Sequence, residues 1–206
     1  MIEAAMLLGR SGGVLSPWEY IGYTELLTTS AANATVQIPA EAQAGDLLVA
    51  VMSPGNESIK TEMISGGWQR FSTGNQDYVC VTRLTDFTER PTYKKDAANA
   101  VFASIFVFRS AGWSSASLAA NNSPYTPVSI TTEGRNCLIL TIATTPGFAG
   151  SWTPGMSGGA QFPRRLRVNS PAMAIYSANI AEPSLVTNIF VNARDGTERN
   201  IILTIS

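Results

Sequence analysis

The chain contains no histidine. This removes the side chain most used as a general base near neutral pH and the commonest transition-metal ligand. It also rules out a Ser-His-Asp triad. Charge is scarce: Asp, Glu, Lys and Arg make up 14% of the residues, against about 25% in a typical globular protein. A net charge of −1 supplies no basic field of the kind a nucleic-acid binder needs, and it offers little self-repulsion to oppose association. The two cysteines, Cys80 and Cys137, stand far apart and neither lies in a CxxC, so no zinc or iron–sulfur pattern exists. Both fall in apolar runs, DYVCVT and NCLIL. Reduced core thiols are expected there, with a disulfide as the alternative. No apolar run approaches the ~20 residues that span a bilayer, so no membrane partner is expected. The start, MIEAAMLLGRSGG, has an acid at position 3 and an apolar run that stops at Gly9. That does not read as a secretory signal. No metal or cofactor is expected.

What the chain does have is strand pattern. Residues 1–16 stand apart as an N-terminal arm: Ile2 to Leu8 suits one or two helical turns, and RSGGVLSP reads as a hinge. Residues 17–206 read as one β-sandwich domain. WEYIGYTELL is aromatic and β-branched, ATVQIPA alternates, and DLLVAVMS is an unbroken apolar run suited to a strand buried on both faces. GGWQRF, DYVCVTRLTD, AVFASIFVFRS, PVSITT, NCLILTIATT, AMAIYSANI, LVTNIFV and RNIILTI continue the series. AVFASIFVFRS carries apolar residues on both faces, which predicts a central strand with Val101, Ala103, Ile105 and Val107 buried. In the last strand Ile201, Leu203 and Ile205 are expected to point inward. SSASLAANNSPYTP and GFAGSWTPGMSGGAQFP read as loops. No sustained helical period follows the arm, and no βαβ alternation suggests a nucleotide-binding sheet. The fold class is therefore all-β, a sandwich or a closed barrel.

The turn Ala44-Gly45-Asp46 could belong to a phosphate-binding loop. Such a loop needs a helix after its glycines, so that amide N–H groups face the anion. Here Leu-Leu-Val-Ala-Val follows, which is strand, and no lysine is present. The turn is expected to open a core strand, with Asp46 hydrogen-bonding the turn backbone.

These segments, in this order, resemble virion structural proteins of tailed bacteriophages. The pieces that carry the likeness are VQIPAEAQAGDLLVAV, GGWQRF, DYVCVTRLTD, VFASIFVFRSAGW and the closing ERNIILTIS. Together they cover roughly residues 18–206. The resemblance implies an antiparallel jelly-roll-like β-sandwich and a place in the virion as a minor tail, fibre-associated, collar or capsid-decoration protein, after the synthesis in the host cytoplasm that the lack of a secretory signal leads one to expect. It implies other virion proteins as partners, with homo-oligomerisation or a symmetric array. It supplies no catalytic residues.

The remaining constellations have ordinary readings beside the functional ones. Asp86 and Glu89, and Asp195 and Glu198, are loop acids beside Arg90 and Arg199. They suit solvated pairs better than the two carboxylates of a glycosidase, and their spacing, with Asp77, matches no calcium loop. No lysine lies in an SxxK pattern. FPRRLRV concentrates Arg164, Arg165 and Arg167. Alternation places Arg165 and Arg167 on one face, either as blunting charges on a sheet edge or as an anchor to an acidic neighbour. Together with Ile2, Met6, Leu7 and Leu8 of the arm, these arginines are the candidate assembly interface. Trp113, Tyr125, Phe148 and Trp152 lie in or beside expected loops. They suit plugs of the sandwich ends, or, in the alternative reading, a platform for stacking on a host surface glycan. Trp68, after Gly66-Gly67, is expected in the core. The overall expectation is a non-enzymatic assembly protein.

Overall fold

The computed structural model describes residues 18–26, 35–53, 68–73, 77–83, 93–94, 102–110, 116–121, 128–132, 136–145, 154–157, 164–169, 172–190 and 199–205. Among these residues there are strands and no helix. The first half of the chain supplies β1 (Glu19–Leu26), β2 (Thr35–Val36), β3 (Leu47–Ser53), β4 (Gln69–Thr73), β5 (Asp77–Arg83), β6 (Tyr93–Lys94) and β7 (Phe102–Arg109). The second supplies β8 (Ala116–Asn121), β9 (Val128–Thr131), β10 (Cys137–Thr145), β11 (Pro154–Ser157), β12 (Arg164–Asn169), β13 (Ala172–Ile180), β14 (Leu185–Phe190) and β15 (Arg199–Ile205).

Every pairing between these strands is antiparallel. One five-stranded sheet runs β1-β7-β3-β5-β4 and another runs β12-β13-β10-β15-β8. A three-stranded sheet, β11-β14-β9, and a pair, β2-β6, complete the set. Each five-stranded sheet is drawn from one half of the chain.

The core follows from the alternation of side chains along a strand. Leu47, Val49 and Val51 of β3, Phe106 and Phe108 of β7, and Val81 of β5 lie in one buried cluster with Leu138, Leu140 and Ile142 of β10, Ile175 of β13, and Leu203 and Ile205 of β15. Both five-stranded sheets thus bury one face in a common core. The opposite faces are buried as well: Leu48, Ala50, Ile105 and Val107 are fully inaccessible. Behind the second sheet, Cys137, Ile139 and Ile202 pack with Val186 of β14, and Ile130 of β9 lies against them. This two-sided burial explains the unbroken apolar runs of β3, β7 and β10.

Most expected strands stand where the pattern placed them, and Trp68 is buried. Several expectations need correction. SSASLAANNSPYTP, expected as loop, contains β8. Its small residues have weak strand preference, and the strand exists because β15 pairs with it along its length. GFAGSWTPGMSGGAQFP contains β11, which Pro154 opens, a strand position that proline tolerates. In β15, Leu203 and Ile205 do point to the common core, but Ile202 is equally buried on the other face. Of the four residues expected in the core of β7, Ile105 and Val107 are buried. Val101 and the side chain of Ala103 lie outside the described residues.

Candidate functional site

The turn before β3 has a definite architecture. Gly45 adopts a φ of 95°, a backbone geometry that glycine accepts without a Cβ clash. The turn is closed by Asp46 N donating to Gln43 O at 3.1 Å. The Asp46 carboxylate then receives three side-on donors. Gln43 N donates to Oδ2 at 2.7 Å, Arg109 Nη2 to Oδ2 at 2.9 Å, and Arg109 Nε to Oδ1 at 2.8 Å. Arg109 Nη2 also reaches Glu41 O at 3.2 Å. This is a two-pronged guanidinium–carboxylate pair, the strongest geometry for such partners. Asp46 is 2% exposed and the Arg109 side chain 32%. The hydrogen bond to Asp46 raises the Arg109 pKa above its ordinary value, and the negative charges of Asp46 and Glu19 add to the effect while desolvation opposes it.

Strand pairing explains how two residues so far apart in sequence meet. Leu47 stands opposite Phe108 in the β3–β7 ladder, which brings the residue before β3 beside the end of β7. Asp46 was legible in the sequence as a turn residue. Arg109 was not, because only the topology makes it a neighbour. The clamp holds both carboxylate oxygens against donors, so Asp46 is spent on structure.

A second junction ties the two halves of the chain. Trp18 Nε1 donates to Asn136 O at 3.0 Å, and Asn179 Nδ2 donates to Trp18 O at 2.8 Å. Asn136 has a φ of 57°, a left-handed conformation that asparagine tolerates. Its N–H donates to Ala181 O at 3.2 Å. Beside this junction lies a cavity of about 20 Å³ lined by Trp18, Tyr20, Leu138, Ser177 and Asn179 among others. That is room for a single water and far below the roughly 300–1,000 Å³ of ligand pockets.

Among the described residues no group of three or more His, Cys, Asp or Glu is close enough to hold a metal ion. Cys137 is buried and in no disulfide among the described residues; the Cys80 side chain lies outside the described residues. Arg164, Arg165 and Arg167 fall on β12, the outer strand of the second five-stranded sheet. A bulge between Arg164 and Leu166 takes up Arg165, so Arg164 and Arg167 register with Tyr176 and Ala174. The side chains of Arg164, Arg165 and Arg167 lie outside the described residues. Ile2, Met6, Leu7, Leu8, Trp113, Tyr125, Phe148 and Trp152 lie outside the described residues, as do the acids Asp86, Glu89, Asp195 and Glu198. Compared with protein-family models, curated proteins and solved structures, the chain matches none of them.

Proposed function

We propose that the chain is a non-enzymatic structural protein of a tailed-phage virion, working by packing into a symmetric tail, collar or capsid-decoration assembly. One observation carries the reading. AGD and FRS, two of the segments that make the chain resemble such proteins, are joined by the Asp46–Arg109 clamp. The resemblance is thus vested in groups that hold a scaffold together, which is what an assembly protein needs.

A jelly-roll-like fold belongs to the same proposal. A jelly roll holds eight strands in two sheets, with the first beside the last. Among the described residues the second half of the chain has eight strands, β8 to β15. Counted from its own start, they run first-eighth-third-sixth-fifth in one sheet and second-seventh-fourth in the other. The fifth strand, β12, joins the edge of the sixth.

The arm is the proposed tether. So short a segment does not hold a helix alone. Burying Ile2, Met6, Leu7 and Leu8 on a neighbouring subunit contributes about 1.5–3 kcal/mol per side chain. Against it stands an ordering cost of roughly 1–2 kcal/mol per residue. Proteomics of gradient-purified particles, with antibody labelling by electron microscopy, tests the location. Peptides of this chain should co-purify with intact particles and label one substructure. Their confinement to the soluble lysate overturns the proposal. Deleting residues 1–13 should leave a soluble β-protein that no longer enters particles; normal incorporation excludes the tether.

A further inference from the structure

The two halves of the chain share one topology. Strand for strand, β1 corresponds to β8, β2 to β9, β3 to β10, β4 to β12, β5 to β13, β6 to β14 and β7 to β15. The order β1-β7-β3-β5-β4 then becomes β8-β15-β10-β13-β12, and the pair β2-β6 becomes β9-β14. β11 is the extra strand among the described residues. Corresponding strands begin at 19 and 116, 35 and 128, 47 and 137, 69 and 164, 77 and 172, 93 and 185, and 102 and 199, so the displacement stays between 90 and 97 residues.

Register repeats as well as order. Leu47 opposite Phe108 and Val49 opposite Phe106 correspond to Leu138 opposite Ile205 and Leu140 opposite Leu203. Leu47 opposite Arg83 and Val49 opposite Val81 correspond to Leu138 opposite Asn179 and Leu140 opposite Ser177. Pairing each sheet in the same frame requires a match residue by residue, because a one-residue slip sends every side chain to the other face. The sequence carries the trace: TVQIPA and PVSITT precede LLVAVMSPG and LILTIATTPG.

The corresponding faces meet each other. Leu47, Val49, Phe106 and Phe108 share their cluster with Leu138, Leu140, Leu203 and Ile205. The direction of stacking is informative. At one side, Trp18 at the start of β1 bonds Asn179 of β13. At the other, β4 lies beside β8. Since β8 corresponds to β1, and β4 to β12 beside β13, β8 meets the far edge of the first sheet while the start of β1 reaches the strand next to the far edge of the second. A stack in the same direction would have put β1 against β8. Such reciprocity is the signature of a two-fold interface, in which one patch meets its own copy.

We infer that the chain is a tandem duplication of one unit of about 95 residues, and that the inner face of the unit's five-stranded sheet is a self-docking surface whose partner is a second copy of the same unit. Here the other half of the chain provides that copy. The inference does not depend on the virion role.

The test uses the full chain with a specific protease site inserted within residues 111–115, between β7 and β8. After cutting under native conditions, the two fragments should co-elute at the mass of the intact 21.9 kDa chain and keep its β-sheet circular dichroism. Fragments that separate in native buffer overturn the self-docking surface. A second measurement addresses the two-fold itself in the uncut chain. In a Cys80→Ala background, spin labels at positions 69 and 116 and, separately, at 164 and 19 occupy corresponding pairs of sites. Coinciding distance distributions are expected; distinct ones exclude the two-fold relation.

Discussion

Gly45 and Gly22 are a matched pair for separating backbone strain from packing. A Cβ at either position meets nothing within 4 Å. Only Gly45 has a positive φ, at 95°. Gly45→Ala should therefore cost about 1–2 kcal/mol through the backbone alone. Gly22→Ala should stabilise by about 0.4–1 kcal/mol, since alanine restricts the unfolded chain. Urea midpoints that move in opposite directions are the expected outcome; a neutral Gly45→Ala contradicts the turn geometry. The clamp gives a second residue-scale prediction. Asp46→Asn keeps the shape but turns one acceptor into a donor facing Arg109. The loss should be about 1.5–3 kcal/mol, toward the lower end because the guanidinium is partly in water. Combined with Arg109→Gln, the effects should be non-additive. Because the Arg109 pKa is raised on folding, its contribution is full below the unfolded value and fades only as pH climbs through the folded one. Neutral buffers therefore leave the arginine side of the clamp unaltered.

At the scale of elements, the central strands carry the stability. Ile105→Ala in β7 and Leu140→Ala in β10 should each cost about 2–5 kcal/mol, from lost burial and the cavity left behind. Leu185→Ser, at the 61% exposed start of β14, should stay within about 0.5 kcal/mol. Equal losses at all three positions, read from chemical denaturation, would mean that the sheet centre is misassigned. These same central strands were the legible ones. β3, β7 and β10 concentrate Leu, Ile, Val and Phe, and two-sided burial requires that composition. β8 was illegible because ASLAAN has small side chains, and its strand state is imposed by β15. The Arg165 bulge was illegible too, since a bulge depends on the partner strand. Of the candidate site, the turn could be read locally and the arginine that locks it could not.

At the scale of the molecule, the halves have kept class along the β3–β7 and β10–β15 ladders more than identity. Leu47 corresponds to Leu138, Val49 to Leu140, Phe106 to Leu203 and Phe108 to Ile205, each apolar for apolar, whereas Val81 of β5 corresponds to Ser177 of β13. With β11 inserted in one half only among the described residues, spacing drifts enough to hide the repeat from a reading along the chain. The pairing of first with last strand in each unit has a mechanical consequence. Glu19 lies opposite Arg109, and Ala116 opposite Ile205, so the two ends of each unit leave from the same end of one antiparallel ladder. Tension applied through those ends loads the ladder's hydrogen bonds one after another, like a zip, and not all together in shear. Pulling a chain tethered at residues 19 and 109 should open the first unit at low force, releasing about 300–330 Å of contour for its extended residues. Attachment across strands, at residues 26 and 109, loads the same bonds in parallel and should demand a visibly higher force. A unit held by its two ends would thus yield gradually, whereas one gripped across its strands would resist.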